Sequence, residues 1–222
     1  MTIHDFPELV DCSASRGGCT GLGRSRPSLH HIAQKFPFPD ANSDFRSGYR
    51  YDQSLLLSHR SWIDKHHNAI GVENIALLNQ AIDDVLAAME HIGTTPAHYG
   101  VLHADLTFSN ILVQDGELYL IDFEQLGRGH FLYDFAVLWN TLREESADFA
   151  LRWQSFVAGY EEVIELPFRH EAELQPFIVA TQLNFLDWFY NSMTRAVQAN
   201  FEPRLSSVYA EIRHWIAQHK LS

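Results

Sequence analysis

The chain is poor in the residue types that would tie it to a disulfide scaffold, to nucleic acid or to a membrane surface. Its 222 residues include only two cysteines, Cys12 and Cys19, whose spacing matches neither a zinc site nor a disulfide scaffold. Lysine and arginine total 16 against 28 acidic residues, so the formal net charge is −12. A chain this acidic lacks the basic face that nucleic acid or an anionic lipid surface requires.

Long apolar runs are also missing. The longest run, residues 177–190, is too short for a membrane-spanning helix and contains Gln182, Asn184 and Asp187. The first residues show no apolar segment of the signal-peptide type. We therefore expect a cytoplasmic protein with no nucleic-acid or membrane partner. The acidic surface is expected mainly to maintain solubility, and a cationic substrate is the alternative explanation of the charge.

The apolar pattern separates an irregular start, residues 1–27, from a mainly helical remainder, residues 28–222. Residues 13–27 are rich in Ser, Gly and Arg and show no apolar period. Beyond them, apolar residues three or four apart predict amphipathic helices, the strongest of which ends near Gly93. The predicted helices are a short one capped by Ser28, then 51–68, 75–89, one that begins near Phe135, 177–193 and 205–216.

Three short apolar runs interrupt the helices in the middle of the chain, at residues 99–102, 110–113 and 118–121. Asp115-Gly116 separates the last two runs, and this dipeptide between apolar runs is typical of a β-hairpin. The predicted fold class is therefore α+β, mainly helical, with a small central β-hairpin cluster.

Five polar residues stand at the ends of these predicted strands. His103, Asp105 and Asn110 lie on the loop between the first two strands, and Asp122 and Glu124 follow the third. Phosphoryl transfer needs a carboxylate to take the proton of a hydroxyl, and oxygen ligands to hold Mg²⁺ against phosphates. Because the hairpin brings the third strand back beside the loop, the pattern favours a phosphoryl-transfer site.

The order His-x-Asp-x-x-x-x-Asn, a hairpin and then Ile-Asp-Phe-Glu resembles the aminoglycoside phosphotransferase family of small-molecule kinases, which is similar in fold to protein kinases. The resemblance continues through Gly127-Arg128-Gly129 and Leu132-Tyr133-Asp134. It implies a protein-kinase-like large lobe over residues 28–222. It also implies transfer of the γ-phosphate of ATP, or of another nucleoside triphosphate, to a hydroxyl of a small-molecule acceptor, with Mg²⁺ as metal.

The resemblance implies a role for each of the five polar residues. Asp105 would be the catalytic base, and His103 would brace the loop, although it is also a candidate base. Asn110 and Asp122 would bind Mg²⁺ and, through it, the nucleotide. Glu124 would be a further acidic residue that assists with metal or substrate.

Two further residues would support the site. Asp134 would accept backbone hydrogen bonds from the catalytic loop, and Arg128 would belong to a glycine/arginine turn that follows the metal-binding aspartate. The chain departs from the family pattern at Ala104, where glycine is usual, and at residues 107–109, where the family often has proline and glycine.

A small nucleotide-binding lobe, which the family carries before the large lobe, has no counterpart in the sequence pattern. The chain has three lysines, Lys35, Lys65 and Lys220, and none lies in a predicted strand. The glycines of residues 17–23 lack the spacing of a phosphate-binding loop. The alternative function is therefore a truncated, catalytically incompetent kinase-like lobe, either a binding module or a gene fragment. A partner chain that supplies the nucleotide lobe is a third possibility.

The later helices are where the family tends to place acceptor-binding groups, which makes Asp187 and Trp188 candidates for substrate binding. Packing in the core is the simpler interpretation of Trp188, because its helix is apolar nearly all round. The pairs His30-His31 and His66-His67 are expected on the surface, since adjacent residues point apart on a helix. The acceptor, the choice between ATP and GTP, and the oligomeric state have no signal in the sequence.

Overall fold

The computed structural model describes residue 30 and residues 49–114, 117–192 and 194–219, which are mainly helical with short strands. The α+β fold class is confirmed. The helices are α1 (Gln53–Lys65), α2 (His67–Ile70), α3 (Val72–Ile92), α4 (Phe131–Glu145), α5 (Phe149–Glu161), α6 (Gln175–Ser192) and α7 (Arg195–His219). The strands are β1 (Tyr49–Tyr51), β2 (Tyr99–Leu102), β3 (Ile111–Gln114), β4 (Glu117–Leu120) and β5 (Gly127–His130).

The described residues form two compact units. The first contains those within Met1–Tyr51 and Thr94–His170, and the second those within Asp52–Gly93 and Glu171–Ser222. The predicted irregular segment 1–27 lies outside the described residues. The same is true of the predicted helix at Ser28, except for His30, which is helical.

A three-stranded sheet in the order β1-β5-β2 belongs to the first unit, with β1 parallel and β2 antiparallel to β5. Residues 127–129, expected to form a turn, belong to strand β5. Glycine disfavours strands, which explains the missed assignment, but here it permits close packing. A Cβ atom on Gly127 would lie 2.6 Å from the carbonyl oxygen of Tyr49, and one on Gly129 would overlap the backbone of Tyr51.

The predicted hairpin is present as the antiparallel pair β3 and β4. Ile111 pairs with Leu120, and Leu112 with Tyr119. The dipeptide Asp115-Gly116 itself lies outside the described residues. Ile111 is buried, whereas Leu112 and Tyr119 are exposed, so the hairpin presents one face to the unit's interior.

Helix α4 forms the centre of the first unit's core. Phe135 on this helix has no solvent exposure. Its ring lies edge-on to those of Trp153, Phe156 and Tyr160, which all belong to α5. This aromatic cluster fixes α4 and therefore the residues of its first turn, which face the loop that follows β2.

The second unit consists of helices α1, α2, α3, α6 and α7. The helix predicted over residues 51–68 begins at Gln53, because Tyr51 belongs to β1 and the Asp52 carboxylate caps the helix by accepting the Ser54 N–H at 2.9 Å. Helix α3 ends before Gly93, as predicted. No helix among the described residues combines the length and apolar character needed to cross a bilayer.

Candidate active site

The loop from His103 to Asn110 is tied at its start to the carboxylate of Asp134, in the first turn of α4. Oδ1 of Asp134 accepts the Ala104 N–H at 2.7 Å, and Oδ2 accepts the His103 N–H at 3.1 Å. Asp134 has no solvent exposure. A buried carboxylate is stable only when donors surround it, so these two backbone groups both satisfy the carboxylate and fix the loop.

Ala104 adopts a left-handed backbone conformation, with φ of 65°. This conformation costs an L-residue about 1–2 kcal/mol and is free of that cost only in glycine. The strain explains in physical terms why glycine is usual at this position in the family that the sequence resembles. Here the hydrogen bond to Asp134 holds the alanine in place.

Asp105 and Asn110 are in direct contact within this loop. Nδ2 of Asn110 donates to Oδ2 of Asp105 at 2.7 Å and to the Asp105 carbonyl at 2.9 Å. The amide of Asn110 is thereby oriented with nitrogen toward Asp105. Within the described part of the chain no hydrogen bond engages Oδ1 of either side chain, so one oxygen of each remains available to a ligand.

The turn that carries Asp122 is joined to the same loop through Ile121. The Ile121 N–H donates to the Asn110 carbonyl at 3.0 Å, and the Ile121 carbonyl accepts from Nε2 of His103 at 2.9 Å. Asp122 has φ of 60°, and its Oδ1 accepts the Glu124 N–H at 3.4 Å. The strand register therefore sets Ile121, the residue before Asp122, opposite Asn110. The carboxylates of Asp122 and Glu124 are exposed.

His103 braces these two segments rather than facing solvent. Its side chain is fully buried, and its ring packs on Phe123 with a centroid distance of 4.8 Å. The carbonyl of Ile121 requires a proton on Nε2. Nδ1 is buried with no hydrogen-bond partner among the described residues, so the ring has no access to a substrate proton.

Two tyrosines of the three-stranded sheet, Tyr51 and Tyr99, contact residues that follow the turn at Asp122. Tyr51 donates its hydroxyl proton to the Gln125 carbonyl at 2.9 Å. Burial, together with the negative charge of Asp134, raises the pKa of Tyr51 well above its ordinary value, so the hydroxyl stays a donor. Arg128 lies on β5 with its guanidinium 5.9 Å from the ring centre of Tyr99, a cation–π contact within the sheet.

His30 was expected on the surface, and that expectation is wrong. The side chain is fully buried, stacks on Phe131 at 4.2 Å, and lies between two polar partners. Nε2 is 3.2 Å from Oδ2 of Asp134, and Nδ1 is 2.9 Å from the hydroxyl of Tyr160. These partners are 104 and 130 residues away in sequence, so no local pattern indicated the contact.

Asp187 and Trp188, the candidate acceptor-binding residues, belong to α6 in the second unit. The Asp187 carboxylate lies 3.3 Å from Nδ1 of His59 and accepts a hydrogen bond from Asn191. Burial raises the pKa of Asp187, but the hydrogen bonds from His59 and Asn191 outweigh it, so the net pKa lies below the ordinary value. Trp188 is 48% exposed, which contradicts the expectation of core packing.

The oxygen atoms at the end of the hairpin fit a magnesium ion in chemical type. They come from the amide of Asn110 and the carboxylates of Asp122 and Glu124, and Mg²⁺ is typically bound by one or two carboxylates plus phosphate oxygens. In the residues that the structure describes, no three His, Cys, Asp or Glu side chains converge as a metal site. A cation here would therefore depend on the amide oxygen and on phosphates of a nucleotide.

The family model of a phosphotransferase enzyme family matches residues 8–172 of the chain. Among curated proteins, the homoserine kinase of Neisseria meningitidis serogroup B is 28% identical over 159 residues, which are 69% of this chain and 47% of that kinase. The amicoumacin kinase of Bacillus subtilis is 25% identical over 153 residues, 65% of this chain and 42% of that kinase.

Solved structures show the same fold. A microcompartment-associated aminopropanol kinase superposes with a TM-score of 0.67 and 24% identity, covering 92% of this chain and 63% of that one.

The chain spans about half the length of the curated kinases it matches. Since the family model covers most of the sequence, including the loop and turn described above, the chain belongs to this phosphotransferase enzyme family.

Proposed function

We propose that the chain transfers the γ-phosphoryl group of ATP, or of another nucleoside triphosphate, to a hydroxyl of a small molecule. The observation that carries this proposal is the contact between Asp105 and Asn110. It places a candidate base and a candidate metal ligand side by side, and Ile121 joins the Asp122 turn to them. These are the parts that phosphoryl transfer requires of a protein.

Asp105 acts as the base in this proposal. Its Oδ2 is held by Asn110, so Oδ1 is the atom that accepts the proton of the acceptor hydroxyl. The acceptor oxygen forms a bond to the γ-phosphorus, the bond from that phosphorus to the bridging oxygen breaks, and the electron pair leaves with the nucleoside diphosphate. Asn110 keeps the carboxylate aligned with the approaching hydroxyl.

The amide oxygen of Asn110 and the carboxylate of Asp122 would hold Mg²⁺, with Glu124 as an additional acidic group. When bound, the metal offsets the charge that develops on the phosphate oxygens. His103 and Asp134 keep the loop in shape, and Arg128 supports the strand that follows the turn.

The acceptor class to test first is an amino alcohol. Two of the kinases similar to this chain are named for homoserine and aminopropanol. The lowered pKa of Asp187 keeps this carboxylate charged at neutral pH, and Trp188 exposes an aromatic ring, the two kinds of group that attract an ammonium ion. Asp187 and Trp188 are therefore the residues we propose for acceptor binding, each tested separately because adjacent residues point apart on a helix.

The test measures both nucleotide binding and turnover on the full chain. Calorimetry with Mg-ATP at millimolar concentration should show binding that Asp122→Asn removes. Phosphoryl transfer to a panel of amino alcohols should fall about 1000-fold in kcat in Asp105→Asn, while nucleotide binding persists. The matched control is Asp148→Asn, the same chemical change at an exposed position of the same unit.

Absence of Mg-nucleotide binding by the wild-type chain would contradict the proposal. That result would favour the alternative, a kinase-like lobe without catalytic competence. Equal losses in Asp105→Asn and Asp148→Asn would instead contradict the role of Asp105.

A further inference from the structure

We propose that His30 is a positioning residue for the loop 103–110 and acts through Asp134. The proposal rests on the proposed function for its catalytic consequence, but its structural part stands on contacts alone. His30 reaches Asp134 from a part of the chain that precedes β1, and both side chains have no solvent exposure. The loop that carries Asp105 is thus fixed by a residue far from it in sequence.

Three hydrogen bonds of the Asp134 carboxylate show how His30 acts. Oδ1 accepts the Ala104 N–H, while Oδ2 accepts both the His103 N–H and the Nε2 proton of His30. The two backbone donors hold one carboxylate oxygen each, and His30 adds a donor to Oδ2 from a distant part of the chain. This added donor strengthens the restraint on the carboxylate and lowers the cost of burying its charge.

Asp134 determines which nitrogen of His30 carries the proton, because a carboxylate can only accept a hydrogen bond. Nε2, 3.2 Å from Oδ2 of Asp134, therefore carries the proton, and in the neutral ring Nδ1 accepts from the hydroxyl of Tyr160 at 2.9 Å. Tyr160 is itself 1% exposed. Both ring nitrogens are therefore engaged, and the imidazole is oriented as a donor toward the carboxylate.

The strained residue in the loop makes this restraint matter. Ala104 is held with φ of 65° by its bond to Asp134, and Asp105 is the next residue. If Asp134 turns, Ala104 can relax toward ordinary backbone angles and carry Asp105 with it. A displacement of about 1 Å at a reacting group costs on the order of 100-fold in rate.

The variants that test this inference are set by the packing of His30. His30→Phe keeps an aromatic ring against Phe131 and removes both hydrogen bonds. His30→Gln keeps an N–H donor of similar reach toward Asp134. Tyr160→Phe leaves the bond to Asp134 and removes the partner of Nδ1 that helps to orient the ring. His67→Gln, at an exposed position of the second unit, is the control.

The first measurement is amide hydrogen exchange by NMR on the full chain, and it needs no enzymatic activity. His30→Phe should speed exchange of the His103 and Ala104 amides about tenfold, the loss expected for one charged hydrogen bond. His30→Gln should restore most of the protection, Tyr160→Phe should show a smaller increase, and His67→Gln should show none. Unchanged exchange at His103 and Ala104 in folded His30→Phe would overturn the inference.

The second measurement separates positioning from a purely structural role. His30→Phe should lower kcat about 10-fold to 100-fold with the KM for the nucleotide within about twofold, and His30→Gln should recover activity. A loss confined to KM, or no recovery in His30→Gln, would contradict positioning. A wild-type chain without turnover would defeat the proposed function, and the amide exchange would still decide the role of His30.

Discussion

Each of the two units contains a histidine–aspartate pair, and the two pairs differ in what the carboxylate binds. In the first unit, His30 and Asp134 are both fully buried, and Asp134 accepts two backbone N–H groups. In the second unit, His59 is fully buried while the Asp187 side chain is 30% exposed, and its other partner is the side chain of Asn191.

The comparison shows that an aspartate's partners indicate its task better than the presence of a histidine beside it. A carboxylate bonded to backbone groups shapes the chain, because backbone donors cannot rotate away. A carboxylate bonded to side chains on two helices ties the helices together and keeps part of its charge in contact with water. We therefore expect substitutions at the first pair to have larger effects than substitutions at the second.

The largest effect is expected for Asp134→Asn. An amide in place of the carboxylate replaces one accepting oxygen with an NH₂ group, which faces a donor instead of accepting from it. The free energy of unfolding should fall by about 3 kcal/mol, as measured by urea denaturation. A loss below about 1 kcal/mol would show that the loop does not depend on this carboxylate.

Gly129→Ala should destabilise the first unit without changing the His30–Asp134 pair. The added Cβ meets the backbone of Tyr51, and overpacking of this kind costs about 2 kcal/mol. Amides of His103 and Ala104 should keep their protection against hydrogen exchange. If they lose it as fully as in Asp134→Asn, the loop responds to the stability of the unit and not to Asp134.

Ala104→Gly should stabilise the protein by about 0.5 kcal/mol. Relief of the left-handed backbone strain outweighs the greater freedom that glycine gives the unfolded chain. The matched control, Ala87→Gly at an exposed position of α3, should destabilise by about 1 kcal/mol. Denaturation of both variants under the same conditions gives the comparison, and the same sign in both would refute the strain at Ala104.

Asp187→Asn should have the smallest effect, under about 1 kcal/mol at pH 7 after screening by solvent. Because the pKa of Asp187 is lowered on folding, its contribution is present above the unfolded pKa, about 3.9, and is lost as the pH falls through the folded pKa. The difference in unfolding free energy between wild type and Asp187→Asn should therefore shrink below about pH 4.

Asp64→Asn is the control for this pH series, since it changes an exposed aspartate on α1. The difference in unfolding free energy between wild type and Asp64→Asn should stay near zero over the whole pH series. A stability difference for Asp187→Asn that grows as the pH falls would contradict the lowered pKa.

Much of the fold was predictable because its signals are local. Helix α3 carries its apolar period and its terminating Gly93, and the hairpin carries Asp115-Gly116 between apolar runs. Strands β1 and β5 were not predicted. Two of the four residues of β5 are glycines, which allow β1 to pack closely against it, and β1 lies more than 70 residues earlier in the sequence.

In the candidate site, too, the features with local sequence signals were predictable and those that depend on distant residues were not. The spacing of Asp105 and Asn110 within one loop indicated their proximity, and the structure shows the hydrogen bond between them. Their catalytic roles, and that of Asp122, stay predictions. His30 was missed because a buried histidine with distant partners looks in sequence like any polar residue beside an apolar position.

The backbone of Ile121, rather than its side chain, makes the contacts that matter at this position, so its side chain is expected to vary. Both polar groups of Ile121 join the hairpin to the loop, its N–H to Asn110 and its carbonyl to His103. Every amino acid except proline, which lacks the N–H, can make this pair of backbone hydrogen bonds. A saturation scan at position 121 should consequently tolerate many side chains and reject proline, so low sequence conservation there would conceal an indispensable link.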